Sequence, residues 1–134
     1  MLTTRTFTET ATEMLFPSFE SHCGLATKAN GEIMVVVAGG FEEGNSLVSV
    51  QVYNITTGEW RMAANPLPEA TRAGETVAFG NTFLIVGGLG SNERSEIVQF
   101  NPEDESWTVR EEAMSLPRVG HYAAMVDAER FGCQ

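Results

Sequence analysis

The chain has 134 residues, about one small domain at the usual ~100–200 residues per domain, and 43% of them are hydrophobic. That composition is globular and excludes a wholly disordered chain, while the longest apolar run, Ile33–Ala38 before Gly39 and Gly40, falls far short of the ~18 residues of a membrane-spanning helix. Eighteen Asp and Glu against eight scattered Lys and Arg give a net charge of −10, so neither a nucleic-acid nor a membrane partner is expected.

Two cysteines, Cys23 and Cys133, are too few for a disulfide scaffold or a four-ligand zinc site; one long-range disulfide and two free thiols both stay open. The first fifteen residues are rich in Thr and Glu and lack the apolar stretch of ~7–15 residues of a signal peptide. The compartment is therefore open, with the cytoplasm as the default and the cell exterior as the alternative.

In chain order, residues 10–15 lack helix breakers but are short enough to be a loop or single turn. A first strand is expected at 23–27. A second covers Ile33–Ala38, apolar throughout and rich in β-branched residues, and runs into paired glycines that allow backbone geometries other residues resist. Residues 41–46, FEEGNS, read as an exposed loop, followed by a third strand at 48–53. A turn containing Thr57 and Gly58 leads to a fourth strand at Trp60. The same series then returns: strands at 75–79 and 82–86, a loop at 89–94 with sequence LGSNER, a strand at 96–100, a turn at Pro102-Glu103, a strand at Trp107, and a loop or single turn at 111–115.

The series is an internal repeat. The glycine pair Gly39-Gly40 recurs 48 residues later as Gly87-Gly88, and Leu67-Pro68 recurs 49 later as Leu116-Pro117. Tyr53 stands seven residues before Trp60, as Phe100 stands seven before Trp107. Aligning Phe7 with Trp107 also matches Met14 with Met114 and Pro17 with Pro117, and His22 and His121 lie 99 apart. Residues 1–17 thus read as the end of an earlier repeat, 18–68 and 69–117 as two nearly whole repeats, and 118–134 as the first strand of a following one. A truncated gene product is the expectation. One position conflicts: the offset of 47 sets Gln51 against Val98 and Val52 against Gln99, which predicts a bulge or register shift in one third strand.

The marks Gly39, Gly40, Tyr53 and Trp60, repeated as Gly87, Gly88, Phe100 and Trp107, with His22 and His121 opening units, resemble kelch repeats across almost the whole chain. The resemblance implies an all-β fold of four-stranded antiparallel blades forming part of a β-propeller, a ring of typically ~4–8 blades. Two blades cannot close such a ring, so further blades come from missing chain or from self-association. It further implies a non-catalytic binding module whose loops meet a protein or peptide partner, with candidate contacts at Phe41, Glu42, Glu43 and Asn45 in one loop and Ser91, Asn92, Glu93 and Arg94 in the other. The alternative is a homo-oligomeric ring binding a small ligand or glycan between blades. Some relatives join the propeller to a BTB segment that recruits ubiquitin ligases; nothing in these residues reads as one.

Enzyme readings are weaker. A copper centre needs several converging His and Tyr ligands, and His22, His121, Tyr53 and Tyr122 occupy repeat-framework positions. No Gly-x-Ser-x-Gly elbow is present, and Glu42-Glu43 and Glu111-Glu112 read as solvated charge because neighbours in a strand point to opposite faces. No catalytic residue, cofactor or metal is therefore assigned. Asn54-Ile55-Thr56 is a glycosylation sequon that matters only in a secreted protein.

Overall fold

The computed structural model describes residues 12–125 together with Thr6 and Glu9. Alternation of side chains about a β-branched run organises the first sheet. In β2 (Ile33–Ala38), Met34, Val36 and Ala38 are fully buried on one face. They stand opposite Ala26, Gly24 and His22 of β1 (His22–Thr27) and opposite Asn54, Val52 and Val50 of β5 (Val50–Asn54), whose outer neighbour is β6 (Glu59–Met62). The second sheet repeats this order with β7 (Glu75–Phe79), β8 (Thr82–Leu89), β9 (Glu93–Phe100) and β10 (Trp107–Ala113). A small ribbon, β3 (Phe41–Glu42) and β4 (Asn45–Ser46), projects between β2 and β5. All pairings are antiparallel, and the fold is all-β.

The core lies between the sheets. Ala26, Met34, Val36, Val50 and Val52 of the first sheet pack against Phe83, Ile85 and Phe100 of the second. The aromatic spacing of seven has a simple cause: a tight hairpin brings Tyr53 opposite Trp60 and Phe100 opposite Trp107, with ring centroids 5.1 and 5.0 Å apart. Phe83 joins the second pair, stacked on Phe100 at 5.6 Å and edge-on to Trp107 at 6.0 Å. Gly24 faces this cluster without a side chain, because a Cβ there would lie 2.3 Å from the Phe83 ring.

The conflict at Gln51 is resolved differently from expectation. Gln51 lies opposite Val37 and Met62, and Val98 lies opposite Ile85 and Val109, so the two residues are true counterparts and no slip separates them. Gln51 is tolerated in a buried site because its amide is satisfied by main chain: Leu15 N–H donates to Oε1 at 2.7 Å and Nε2 donates to the Phe16 carbonyl at 3.1 Å. A third strand does carry the expected irregularity, but away from this pair: β9 has an extra residue between Ile97 and Arg94 opposite Val86–Gly88, and β10 has a further bulge between Val109 and Ala113.

The bounds of other elements also differ from expectation. The supposed loops at 41–46 and 89–94 are each partly strand, since backbone pairing continues past the glycines as ribbon β3–β4 and as the tips of β8 and β9, leaving only the turns between them unpaired. Residues 111–113 extend β10 across its bulge instead of forming a turn, while β5 begins at Val50, not at 48. Residues 118–125 form no strand; the remainder of the expected following strand, Cys133 and Phe7 lie outside the described residues.

The sheets are joined by polar contacts as well as by the core. Three connector residues share a left-handed backbone, Glu20 (φ 57°), Ala73 (φ 54°) and Gly120 (φ 62°), and each later N–H donates to the carbonyl of the one before, at 2.9 and 2.8 Å. His22, 1% exposed, spans the joint: its Nδ1 is 3.1 Å from the Ala38 carbonyl and its Nε2 accepts from Gly74 N–H at 3.0 Å. That pairing assigns a neutral ring with the proton on Nδ1. Burial holds the His22 pKa below its ordinary 6.5. The unfolded chain then binds a proton that the folded chain refuses, so stability is lost as pH falls below about 6.5. The urea midpoint is expected to be lower at pH 5.5 than at pH 7.5, with a smaller difference in His22→Gln; equal slopes in the two proteins would discount His22.

At the opposite ends of the sheets, Arg61 of β6 forks onto Glu105 through Nη1–Oε1 and Nη2–Oε2 contacts of 2.8 and 2.7 Å, and Ala64 N–H donates to Glu105 Oε1 at 3.0 Å. Glu105 adopts φ 59° where the first unit has Gly58 at φ 73°, so a non-glycine residue occupies a left-handed site to complete this pair. The Arg61 hydrogen bonds hold the Glu105 carboxyl below its usual range. Glu105→Gln is expected to cost about 1–3 kcal/mol, read as a shift in urea midpoint at pH 7 that shrinks when both proteins are compared at pH 3.5.

Candidate interaction surface

Ribbon β3–β4 and the β8–β9 hairpin emerge from the same ends of the two sheets and touch, Ser46 Oγ donating to the Leu89 carbonyl at 3.4 Å. The ribbon turns tightly because Glu43 (φ 47°) and Gly44 (φ 85°) are both left-handed, the geometry two-residue hairpins need. Glu43, Gly44 and Asn45 are exposed, with Asn45 Nδ2 donating to the Glu43 carbonyl at 3.2 Å, while Glu42 is half-buried.

Phe41 is a support more than a tip. Its N–H donates to the Phe19 carbonyl at 2.8 Å, the two rings meet edge to face at 5.2 Å, and the Arg72 guanidinium lies 4.0 Å from the Phe41 centroid. Arg72 is in turn held by Glu20 at 2.7 Å. Phe19 is the better-presented aromatic, 58% exposed. On the second hairpin Ser91, Asn92 and Glu93 are exposed, but Arg94 folds back between Glu69 and Glu96, with 13% of its side chain accessible. Of the eight residues singled out in the sequence, five are exposed at hairpin tips, and Phe41, Glu42 and Arg94 are partly buried.

Phe19, Glu20, Glu69 and Arg72 escaped the sequence reading because they lie on connectors between units. Phe19 bridges to Phe41 as Arg72 bridges to Leu89, but aligning Pro17 with Pro68 sets Phe19 against Ala70, so the repeat marks alone do not pair the two bridging residues. The surface is acidic. Glu43 and Glu93 are exposed on it and Glu42 is half-buried beside them, whereas Arg72 and Arg94 are already held by carboxylates.

Among the described residues no helix is long and apolar enough to cross a membrane, and no group of three or more His, Cys, Asp or Glu is placed to hold a metal ion.

A kelch motif is matched over residues 34–67, from β2 through β6 to the following Leu67. The chain is 34% identical over 79 residues to Kelch-like protein 21 of Danio rerio and 33% identical over 78 residues to that of Homo sapiens, covering 58% and 57% of this chain and 13% of each relative. It is 29% identical over 99 residues to Kelch-like protein 35 of Mus musculus, covering 72% of this chain and 17% of the relative. Two four-stranded antiparallel sheets built on the repeated glycine and aromatic marks, together with these matches, show a kelch-repeat architecture.

Proposed function

We propose that this chain is a non-catalytic interaction module, and that the face formed by ribbon β3–β4, the β8–β9 hairpin and the Phe19 and Arg72 connectors docks a protein or peptide. The observation that carries the reading is Phe19: an aromatic side chain 58% exposed, held in place by a ring contact and by backbone pairing, beside hairpins with exposed polar tips. A rigid aromatic anchor ringed by polar groups is the usual make-up of an interaction hot spot. The net charge of −10 disfavours nucleic acid and acidic membrane surfaces as partners.

The test is selection of peptides from a displayed random library on the immobilised chain, then comparison of variants. Phe19→Ser is expected to weaken the selected peptides by on the order of tenfold or more. Asn30→Ala, in the β1–β2 turn at the far end of the first sheet, should leave them unchanged. Equal loss in both variants, or none in Phe19→Ser, would remove the assignment of this face.

A ring assembled from several copies is the second reading, favoured by the outer face of the first sheet, where Leu25 (60%), Ile33 (41%) and Met62 (47%) are exposed. Exposed apolar side chains on an unpaired sheet face promote association. Light scattering separates the two: a discrete oligomer supports the ring, and a folded monomer overturns it.

A further inference from the structure

Among the asparagines of the chain, Asn30 alone precedes a glycine. The carboxamide carbon of an asparagine is open to attack by the peptide nitrogen that follows it, and a glycine there puts no Cβ in the way. Asn65 and Asn101 precede prolines, which lack the N–H, and Asn54 and Asn81 precede the branched Ile55 and Thr82. The structure singles out Asn30 as well. It is exposed in the turn between β1 and β2, where Gly31 has φ 90° and no atom lies within 4 Å of the place a Gly31 Cβ would take. Glu32 N–H donates to Asn30 Oδ1 at 2.9 Å, which folds the carboxamide back along the Gly31 peptide. That same N–H is aimed at the oxygen on which negative charge develops when the carbonyl carbon is attacked. One contact opposes the attack: Gly31 N–H donates to the Lys28 carbonyl at 2.9 Å, and this bond must open first.

We propose that Asn30-Gly31 is a site of spontaneous deamidation, and that its products loosen the joint between the two sheets. The Gly31 nitrogen, losing its proton, bonds to Asn30 Cγ; the C–N bond of the carboxamide breaks, and ammonia leaves with that proton as a five-membered imide closes. Water then opens the imide at either carbonyl. One opening gives an aspartate, and the other gives an isoaspartyl link in which the main chain runs through the former side chain and is one methylene longer. In sum one water is consumed and one ammonia released, with no oxidation or reduction. Either product falls where the sheets meet. Ala29 N–H donates to Glu103 Oε1 at 2.6 Å, Thr27 N–H to the Asn81 carbonyl at 2.8 Å, and Asn81 Nδ2 to the Thr27 carbonyl at 3.0 Å. A new carboxylate would stand in a turn that already carries Glu32 and meets Glu103, with Lys28, held by Glu32 at 3.3 Å, as its one cation. The isoaspartyl link lengthens the Lys28–Gly31 turn, which sets β1 in register on β2.

The intact chain is aged at neutral and at mildly alkaline pH, digested, and read by mass spectrometry with the altered residue assigned by fragmentation; isoaspartate is read by enzymatic methylation. Asn30 is expected to gain about 1 Da in both product forms, faster at the higher pH, while Asn45 and Asn92 stay unchanged over the same period. The Gly31 hydrogen bond should hold the folded chain below the rate of the urea-unfolded chain by up to about tenfold, the worth of one such bond. Absence of any gain at Asn30 in the folded chain, or an equally fast gain at Asn45, would overturn the site. The loosening is read separately as the urea midpoint of the aged chain, which should fall as Asn30 is modified, while Asn30→Ser aged alongside keeps its midpoint. An unchanged midpoint in the modified chain, or an equal fall in Asn30→Ser, would overturn the link to the joint.

Discussion

Replacing Phe100 by alanine is expected to lower the unfolding free energy by about 3–5 kcal/mol, the range for truncating a buried aromatic side chain. Phe100 is 0% exposed, pairs with Trp107 at 5.0 Å and Phe83 at 5.6 Å within its own sheet, and shares the inter-sheet core with Met34, Val36 and Val52 of the first sheet. Its loss opens a cavity at the centre of the inter-sheet core, where Met34, Val36 and Val52 cannot follow without distorting β2 and β5. Urea unfolding followed by tryptophan fluorescence reads the change. A cost below about 1 kcal/mol would mean that the site collapses around the deletion and that the two sheets do not depend on this ring. The equivalent residue of the first sheet, Tyr53, is half-buried, so Tyr53→Ala should cost less.

Gly39→Ala is expected to destabilise by about 2–4 kcal/mol, although it adds one methyl group. Gly39 has φ 64°, and a Cβ built there would lie 2.3 Å from the Thr71 carbonyl oxygen. That oxygen belongs to the connector between the blades and accepts from Gly40 N–H at 2.9 Å, so the connector cannot retreat without breaking the joint. Backbone strain and a backbone clash act together. Gly31→Ala is the control: its φ is also positive, at 90°, but no atom lies within 4 Å of the added Cβ. If both substitutions cost the same, backbone strain alone accounts for the loss and the close approach at Gly39 contributes nothing.

Much of the architecture was legible because it is written as periodic chemistry. The run Ile33–Ala38 and the stretch Glu75–Phe79 were placed at the bounds the structure gives. Boundaries near the glycines were misplaced for an identifiable reason: polar residues after a Gly-Gly pair look like loop, yet backbone pairing at Phe41–Glu42 and through Leu89 needs no apolar side chains. Likewise Glu111 and Glu112 look like a solvated turn but extend β10 across a bulge, where one edge can carry charge. The candidate surface was half legible. Hairpin tips announce themselves by composition, whereas Phe19 and Arg72 reach the surface through connectors whose positions depend on how two sheets meet.

The sequence by itself determined the repeat, the all-β class and the aromatic pairs, since each follows from spacing along the chain and from strand geometry that acts over a few residues. Tertiary structure alone decided that Gln51 is satisfied by distant main chain while its counterpart Val98 borders a cavity, that Glu105 accepts a left-handed backbone to reach Arg61, and that Phe19 stands proud of Phe41. The physical reason is the same in kind: the partners of these side chains are distant in sequence, some 35 to 44 residues away for Gln51 and Arg61, and local propensity carries no information about which group will be waiting there.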